Sequence, residues 1–402
     1  MNWRMENIMR VRTYLPLALL LAPLAAPDAG AAGSDASFVL PFELIDNRVF
    51  VDVMLDGQGP FHVVLDTGAS GSLTVRAAEQ LKLKVQDQGE TEGVGQKKVD
   101  YGLARVSSLQ LGGLSLKDVA MNVMPFDGTD QVFGNKPVDG IIGLEIFQHR
   151  VVKIDYLHHQ VTFTDPEKFV YAGKGDIVPF ALPEQVPVID ATLDGIPGKF
   201  GVDTGARSAL LLFGPFSANN KLAEKYHATL HGITGWGVGG PVYSLLARAR
   251  ELRMGNVVVR DPMARLSTQK TGLTAGSHLA GLIGPDVLSQ FDVTFDYARK
   301  RIILEKNARY GQRDSYDRAG VWMGQEGDHF TAVDVITGGP GYEAGVRSGD
   351  IISAIDGVST DTLDLADVRE TMRRRPVGDH VRLTLETHGR RHDVVVTLRD
   401  LV

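Results

Sequence analysis

Short runs of β-branched and aromatic residues, bounded by glycine, aspartate or proline, recur through the first three quarters of the chain. These runs occupy 49–55, 61–65, 151–155, 159–163, 293–297 and 301–305. Runs of this length and composition, with turn residues at both ends, predict β-strands. Apolar spacing suited to one or two turns of helix is found at 75–81, 145–149 and 285–290. The pattern therefore predicts mainly β-structure with few helices up to residue 306.

The pattern changes after residue 306. A polar stretch over 306–320 predicts a linker. Residues 363–374 have the amphipathic spacing of a helix, and 381–398 alternate as a β-hairpin does. The segment 318–402 is therefore predicted to be a separate small α+β domain.

The first 31 residues have the pattern of a targeting segment. Three arginines within the first twelve residues precede a Leu/Ala-rich run over 15–26, and the small residues Ala29-Gly30-Ala31 follow. This order is typical of a secretory signal peptide, and the apolar run is too short to span a bilayer. We expect a periplasmic or secreted protein without a membrane span in the mature chain; the alternative is an uncleaved N-terminal anchor.

The chain also repeats itself. Residues 54–75 and 192–212 both place Asp-Gly, a short run with Pro and Phe, and an apolar residue before Asp-Thr-Gly-Ala. An apolar pair followed by glycine then recurs at Gly143 and Gly284, and each glycine is followed twelve residues later by the Asp of an Asp-Tyr pair. Two motifs in the same order at similar spacing indicate a duplicated domain.

The duplicated Asp-Thr-Gly-Ala motif, with its downstream apolar-apolar-Gly partner, resembles the aspartic peptidases. The alanine after the glycine and the short halves are more similar to retropepsins than to pepsin. The resemblance implies a pseudo-two-fold acid-protease fold of two β-barrel halves, 38–168 and 177–306. It also implies that Asp66 and Asp203 form the catalytic pair.

Two adjacent carboxylates suit peptide hydrolysis without a metal or cofactor. A charged carboxylate takes a proton from a bound water while a protonated one hydrogen-bonds the substrate carbonyl. Two such groups cannot both ionise easily, so the apparent pKa values of the pair split. Glycine after each Asp-Thr permits a tight turn. The resemblance implies supporting roles, by hydrogen bonding across the interface or by packing under the turns, for Thr67, Gly68, Gly143, Thr204, Gly205 and Gly284.

Three residues near the two turns affect the expected pH range of activity and the expected substrate preference. Ala69 and Ala206 stand where pepsin-like enzymes commonly have Ser or Thr. The missing hydroxyl donors should leave the carboxylate pKa values less depressed, which predicts activity at mildly acidic to near-neutral pH. Arg207 departs from the family pattern. It either points into the cleft, where it would favour acidic substrate side chains, or points outward without effect.

Glycine-rich runs lie where retropepsin-like sites carry flaps. In the first half the run includes Gly93 and Gly95, and in the second half it includes Trp236 and Gly237. Glycine-rich loops serve as lids in many enzymes. We expect both runs to form flaps over the cleft, and surface loops without a role are the alternative.

The C-terminal segment resembles the PDZ domains of bacterial envelope proteases over 333–359, through its Gly-Gly-Pro turn, Ala-Gly and Gly-Asp-Ile-Ile. PDZ domains bind extended C-termini beside a sheet edge and hold the peptide carboxylate on backbone N–H groups. Gly320, Val321 and Trp322 are the predicted carboxylate-binding residues. The alternative is a domain that packs on the catalytic body and binds nothing.

Composition and motifs argue against nucleic-acid binding and against other classes of peptidase. A net charge of −7 argues against nucleic-acid binding, and the basic run 373–375 is interpreted as a solvated helix end. There is no cysteine, no His-Glu-x-x-His and no serine-peptidase motif. We predict an aspartic endopeptidase that acts on peptides or proteins, as a monomer containing an internal pseudo-dimer. The alternative function is a non-catalytic PDZ scaffold with a degenerate protease body.

Overall fold

A computed structural model describes residues 36–402, apart from positions 127, 129, 184, 185 and 388. The predicted signal peptide, 1–31, lies outside the described residues. Strands dominate the described chain and its helices are short, which confirms the predicted mainly β-fold with a small α+β domain. Within that part of the chain, none of the helices combines the length and apolarity needed to cross a membrane.

The first half contains eleven strands and three helices. Its strands are β1 Ser37–Pro41, β2 Glu43–Ile45, β3 Arg48–Leu55, β4 Gln58–Leu65, β5 Ser72–Thr74, β6 Gln86–Thr91, β7 Val99–Leu111, β8 Leu114–Met124, β9 Gly140–Ile142, β10 Val151–Asp155 and β11 Gln160–Thr164. Its helices are α1 Val75–Gln80, α2 Asp130–Phe133 and α3 Leu144–Phe147. Eight strands form one sheet in the order β2-β3-β4-β9-β5-β8-β7-β6.

The second half is built in the same way. Its strands are β12 Asp176–Pro179, β13 Val188–Leu193, β14 Ile196–Val202, β15 Leu210–Leu212, β16 His231–Gly237, β17 Gly240–Arg248, β18 Glu251–Met254, β19 Val257–Arg260, β20 Met263–Ser267, β21 Gly281–Ile283, β22 Phe291–Asp296 and β23 Arg301–Lys306. Its helices are α4 Gly214–Asn219, α5 Leu222–Lys225 and α6 Pro285–Leu288. Nine strands form a sheet in the order β16-β17-β20-β15-β21-β14-β13-β18-β19.

The two halves share a third sheet. Six strands run in the order β1-β11-β10-β22-β23-β12, so β10 of the first half pairs directly with β22 of the second. Ile154 pairs with Val293 and Val152 with Phe295 in antiparallel register, and all four side chains are fully buried. Burial of such β-branched and aromatic side chains is the main stabilising term, at about 25 cal/mol per Å². The shared sheet therefore joins both halves over one hydrophobic core.

The C-terminal domain is a small sheet with two helices. Its strands are β24 Val321–Glu326, β25 His329–Val335, β26 Ile351–Ile355, β27 Val358–Ser359, β28 His380–Thr387 and β29 Arg390–Thr397, and its helices are α7 Pro340–Ala344 and α8 Leu365–Arg374. The sheet order is β24-β25-β26-β28-β29, with β27 paired to β26. Asp364 caps α8 by accepting N–H bonds from Ala366 and Asp367.

The segment predicted to be a linker is packed against the second half. The Tyr310 hydroxyl donates to the Val258 carbonyl at 2.6 Å, and Asp314 forms an ion pair with Arg248 at 2.8 Å. Tyr316 is buried in an apolar cluster with Met263 of the second half and Ile336 of the C-terminal domain. Tyr310, Tyr316 and Asp314 all contact residues that are distant in sequence. The segment is therefore an ordered part of the fold and not a flexible linker.

Candidate active site

Asp66 and Asp203 lie directly after β4 and β14. Each strand pairs in parallel with the strand of the downstream motif, β9 or β21. The Asp66 amide donates to the Ile142 carbonyl at 2.8 Å, and the Asp203 amide donates to the Ile283 carbonyl at 2.9 Å. The downstream apolar-apolar-Gly motif therefore supports the start of each Asp-Thr-Gly turn.

Reciprocal hydrogen bonds of Thr67 and Thr204 join the two turns. Each threonine amide donates to the hydroxyl of the other threonine, at 3.0 Å in both directions. The Thr67 hydroxyl donates to the Val202 carbonyl at 2.7 Å, and the Thr204 hydroxyl donates to the Leu65 carbonyl at 2.8 Å. Both threonines are buried. The four bonds fix the spacing of the turns that carry the aspartates.

Four glycines allow the close approach at this centre. A Cβ on Gly205 would overlap the Asp66 carboxylate, and a Cβ on Gly68 would lie 3.0 Å from Cγ of Asp203. Gly143 and Gly284 pack under the turns, where a Cβ would strike carbonyl oxygens of the Asp-Thr-Gly-Ala segments and Ser208. Each turn glycine therefore faces the opposite aspartate, which brings the two carboxyl groups together.

The two carboxyl groups differ in their backbone donors. One Asp66 oxygen accepts an N–H bond from Gly68 at 2.6 Å. One Asp203 oxygen accepts two, from Gly205 at 2.8 Å and Ala206 at 2.9 Å. More donors stabilise the charged form. Asp203 therefore ionises more easily than Asp66, and Asp66 is the group that more readily holds the proton shared by the pair.

Burial raises the pKa of both aspartates. For Asp66 the negative charge of Asp203 adds to this effect, and its pKa rises well above the usual range. For Asp203 the hydrogen bond with Asp66 and the two backbone donors oppose the effect of burial. The pair therefore keeps one proton over a pH range that extends above the ordinary range of an aspartate. Ala69 and Ala206 line the cleft and provide no side-chain donor, and activity at mild pH stays a prediction.

A cavity of about 920 Å³ lies over the pair. The hairpin β16–β17 and the loop between β6 and β7 line it, and these two segments carry the glycine-rich runs that were expected to form flaps. They are called the flaps below. The Gly95 amide donates to the Val238 carbonyl at 2.9 Å, and the Lys97 amide donates to the Gly239 carbonyl at 3.1 Å. The two flaps therefore touch at their tips above the aspartates. Gly93, Trp236 and Gly237 line the same cavity.

Apolar side chains line the cleft on both sides of the aspartates. On the side of Asp66 these are Val64, Phe126, Phe133, Ile141 and Trp236. On the side of Asp203 they are Val94, Leu211, Val242, Leu273 and Leu282. The cleft can therefore bury an apolar side chain on each side of a bond held over the pair. Across the described residues, no group of three or more His, Asp or Glu side chains is arranged to hold a metal ion.

Four charged residues at or beside the site were missed by the sequence analysis. Glu145 is half-buried and accepts N–H bonds from Gly71 and Gly143, both at 2.9 Å, so it ties the first turn to its downstream motif. Its counterpart Asp286 lies two residues after Gly284, and this matched offset was a usable signal. Arg48 donates to the Gly205 carbonyl at 2.7 Å, and its neighbour Asp46 is buried.

Arg207 follows neither of the two predicted alternatives. It borders the cavity, but its side chain is buried and bonded to Asp46, with Nη2 2.8 Å from the carboxylate. It is thus neither free in the cleft nor directed into solvent. A charge neutralised in this way is not available to recruit an acidic substrate side chain.

The residues predicted to bind a peptide carboxylate lie at a covered edge. Gly320 has a left-handed φ of 67°, and Val321 and Trp322 begin β24 as buried residues. Helix α2 of the first half lies against β24, and the Val132 carbonyl accepts a bond from Arg369 of α8 at 2.7 Å. Helix α2 of the first half therefore occupies the space between β24 and α8.

Comparison with protein families agrees with both resemblances. Residues 51–146 match the family model of an aspartyl protease, and residues 331–387 match that of a PDZ domain. The chain thus contains an aspartyl protease domain. It also contains a PDZ domain, so both families predicted from the sequence are confirmed.

Comparison with solved structures finds two distant matches among others. One is an aspartic proteinase from Irpex lacteus, with 14% identity and a TM-score of 0.45 over 68% of this chain and 98% of that one. The other is basic 7S globulin from soybean, with 10% identity and a TM-score of 0.40 over 67% of this chain and 95% of that one. Comparison with curated protein sequences finds no match.

Proposed function

We propose that this protein is an aspartic endopeptidase that hydrolyses peptide bonds with a water activated between Asp66 and Asp203. The observation that carries the proposal is the reciprocal bonding of Thr67 and Thr204, which brings both aspartates together in one cleft. Rigid positioning of a water between an ionised and a protonated carboxyl group is what general acid–base hydrolysis requires.

The donor pattern assigns a role to each aspartate. Asp203, with two backbone donors, takes a proton from the water while the water oxygen attacks the peptide carbonyl carbon. Asp66 supplies its proton to the carbonyl oxygen. As the C–N bond breaks, the nitrogen of the leaving amine receives the proton that Asp203 took from the water, and a hydroxyl group of the tetrahedral intermediate returns a proton to Asp66. The pair then carries one proton again, on Asp66. No covalent enzyme intermediate is formed.

The substrate in this proposal is an extended peptide with apolar residues at the bond that is cut. The support is the apolar lining on both sides of the pair, with Trp236 on one side and Leu282 on the other. An apolar side chain contributes about 1.5–3 kcal/mol when fully buried.

Hydrolysis of a quenched fluorescent peptide library tests the proposal. Purified wild type is compared with Asp66→Asn, Asp203→Asn and the control Asp118→Asn, which changes an exposed aspartate on β8. We expect cutting between apolar residues by wild type and the control, and loss of at least about a thousandfold in both active-site variants. Equal turnover by wild type and Asp66→Asn, or none by wild type, contradicts the proposal.

Recruitment of protein C-termini by the PDZ domain is the second part of the proposal, and the covered β24 edge restricts it. A peptide strand can add at this edge only after the segment around Val132 and Gly134 has moved away. Fluorescence anisotropy of C-terminal peptides with the full chain tests this step. Tight binding with no change in proteolysis of residues 126–134 contradicts a displacement.

Export is proposed from the first 31 residues alone. Cleavage after Ala31 would place the mature protein in the periplasm or medium, where a protein without cysteine needs no disulfide formation. Cell fractionation followed by mass spectrometry of the mature N-terminus tests it. Recovery of the intact N-terminus in the membrane fraction would support the anchored alternative.

A further inference from the structure

The flap of the second half has a bend point at its base. The pairing of β16 with β17 shifts register between Ile233 and Gly235. A register shift of this kind interrupts the ladder of hydrogen bonds and lets the strand bend locally. The residues beyond the shift, Trp236 and Gly237, reach the cleft, so a small rotation at Ile233 moves the tip of the flap.

Both backbone polar groups of Ile233 are held by side chains from outside the hairpin. Its amide donates to Oδ2 of Asp334 at 2.6 Å, and its carbonyl accepts from the Tyr316 hydroxyl at 2.6 Å. Asp334 lies on β25 of the PDZ domain, and Tyr316 lies in the segment that leads into that domain. The C-terminal module therefore holds the bend point from two sides.

The contact between Asp334 and the strand at Ile233 is tightly packed. A Cβ on Gly232 would lie 2.6 Å from Oδ2 of Asp334, so the strand and the carboxylate are in close contact. Arg265 donates to the carbonyl of Thr234, the next residue, and its guanidinium lies over the Tyr316 ring at 5.6 Å. Ile233 and Tyr316 are both buried. The bend point is thus enclosed by groups that belong to two different domains.

At its other end the same flap bonds to the first flap, with the Gly95 amide donating to the Val238 carbonyl at 2.9 Å. Both flaps line the cleft, so the position of their tips sets the space available to an extended peptide. Lid motions of this kind use a few residues that absorb the change in backbone angles. A contact that holds those residues also sets the resting position of the lid.

We propose that the PDZ domain positions the second flap, with Asp334 as the positioning residue and Tyr316 holding the same peptide unit from the other side. The inference rests on the proposed peptidase function for its kinetic consequence, but not for the anchorage itself. Any partner that shifts the PDZ domain would then change access to Asp66 and Asp203 without touching the cleft.

Hydrogen exchange in the full-length protein tests the anchorage independently of activity. The variants are Asp334→Ala, Asp334→Asn, Tyr316→Phe and the control Asp328→Ala, which changes an exposed aspartate in the β24–β25 turn. A bond to a charged group is worth about 1.5–3 kcal/mol, so exchange in a peptide spanning 230–238 should rise at least about tenfold in Asp334→Ala. Asp334→Asn keeps an acceptor oxygen and should stay close to wild type, as should Asp328→Ala.

Kinetics on a cleaved peptide provide the second measurement. Asp334→Ala and Tyr316→Phe should change KM by about three- to thirtyfold with a smaller change in kcat, because the aspartates are untouched. Unchanged exchange at 230–238 in both variants overturns the proposal, and so does an active enzyme whose KM is unchanged in both. A wild type without activity would instead contradict the peptidase function, and the exchange result alone would then decide the anchorage.

Discussion

Arg207 lies over the indole ring of Trp322, with its guanidinium carbon 5.0 Å from the ring centre. Arg369 of α8 lies over the same ring at 4.6 Å. Burial opposes ionisation of Asp46, but the guanidinium groups of Arg207, Arg369 and Arg48 outweigh it and lower the pKa of Asp46 to about 2. One carboxylate of the first half thus joins the Asp-Thr-Gly turn of the second half to the PDZ domain.

Asp46→Asn should destabilise the protein, because it leaves three buried guanidinium groups without their carboxylate. Breaking a buried ion pair costs about 3–5 kcal/mol. Urea unfolding at pH 7 measures this loss. Asp118→Asn is the control, because the Arg105–Asp118 pair is exposed and such pairs contribute at most about 1 kcal/mol.

The same carboxylate predicts a dependence of stability on pH. The folded pKa of Asp46 is lowered from 3.8 to about 2, so its contribution is complete above pH 4 and is lost as the pH falls towards 2. A pKa shift of this size corresponds to a contribution of about 2 kcal/mol to the free energy of unfolding. Unfolding free energies at several pH values should show this loss in wild type and a smaller loss in Asp46→Asn. Parallel curves for the two proteins would contradict the assignment.

Thr204→Val should lower kcat by about one to three orders of magnitude, because it removes the hydroxyl that links the two turns while keeping the side-chain volume. That hydroxyl accepts from the Thr67 amide and donates to the Leu65 carbonyl. Thr204→Ser retains both bonds and should keep most of the activity. A Val variant as active as the Ser variant would show that the link does not position the aspartates.

Gly205→Ala should abolish activity while the fold persists, because the added methyl group overlaps the Asp66 carboxylate. A displacement of about 1 Å at a reacting group costs on the order of a hundredfold in rate. Gly214→Ala is the matched control, since the nearest atom to its added Cβ lies 3.6 Å away. Turnover and circular dichroism of both variants separate a local effect from unfolding.

Ala206→Ser should move the pH–activity profile to lower pH. The active form carries one proton on the pair, and burial raises the pKa of both aspartates. A hydroxyl donor beside Asp203 stabilises its carboxylate and so lowers the pKa values of the pair. The profile of kcat/KM for wild type should therefore lie at mildly acidic to near-neutral pH, above that of Ala206→Ser. A wild-type optimum near pH 2, or a profile that moves upward, contradicts this explanation.

The sequence indicated the parts of the site that occur twice. Asp66 and Asp203 could be predicted because each is followed at similar spacing by the same glycine motif, and the β-branched runs beside them predicted the strands. Both flaps could be predicted from their glycine content. These features could be predicted from local patterns, because each of them has a counterpart at the matching position of the other half.

The contacts between domains could not be predicted in this way. Arg373 belongs to a basic run that was interpreted as solvated, and that interpretation is wrong because its side chain is buried against Asp286 at 2.7 Å. Asp46 lies in the turn before β3, and Arg48 is the first residue of β3. Such partners meet only when three folded units pack together, and neither periodicity nor composition encodes that packing.

The two sides of the cleft are formed by different parts of one chain, and this has an evolutionary consequence. In a dimer of identical chains, every substitution appears on both sides of a shared cleft. Here each side is encoded separately, so a change at Leu282 leaves Ile141 as it was. Selection can therefore adjust the apolar lining on the two sides of the aspartate pair independently, so the cleft can become different at its two ends.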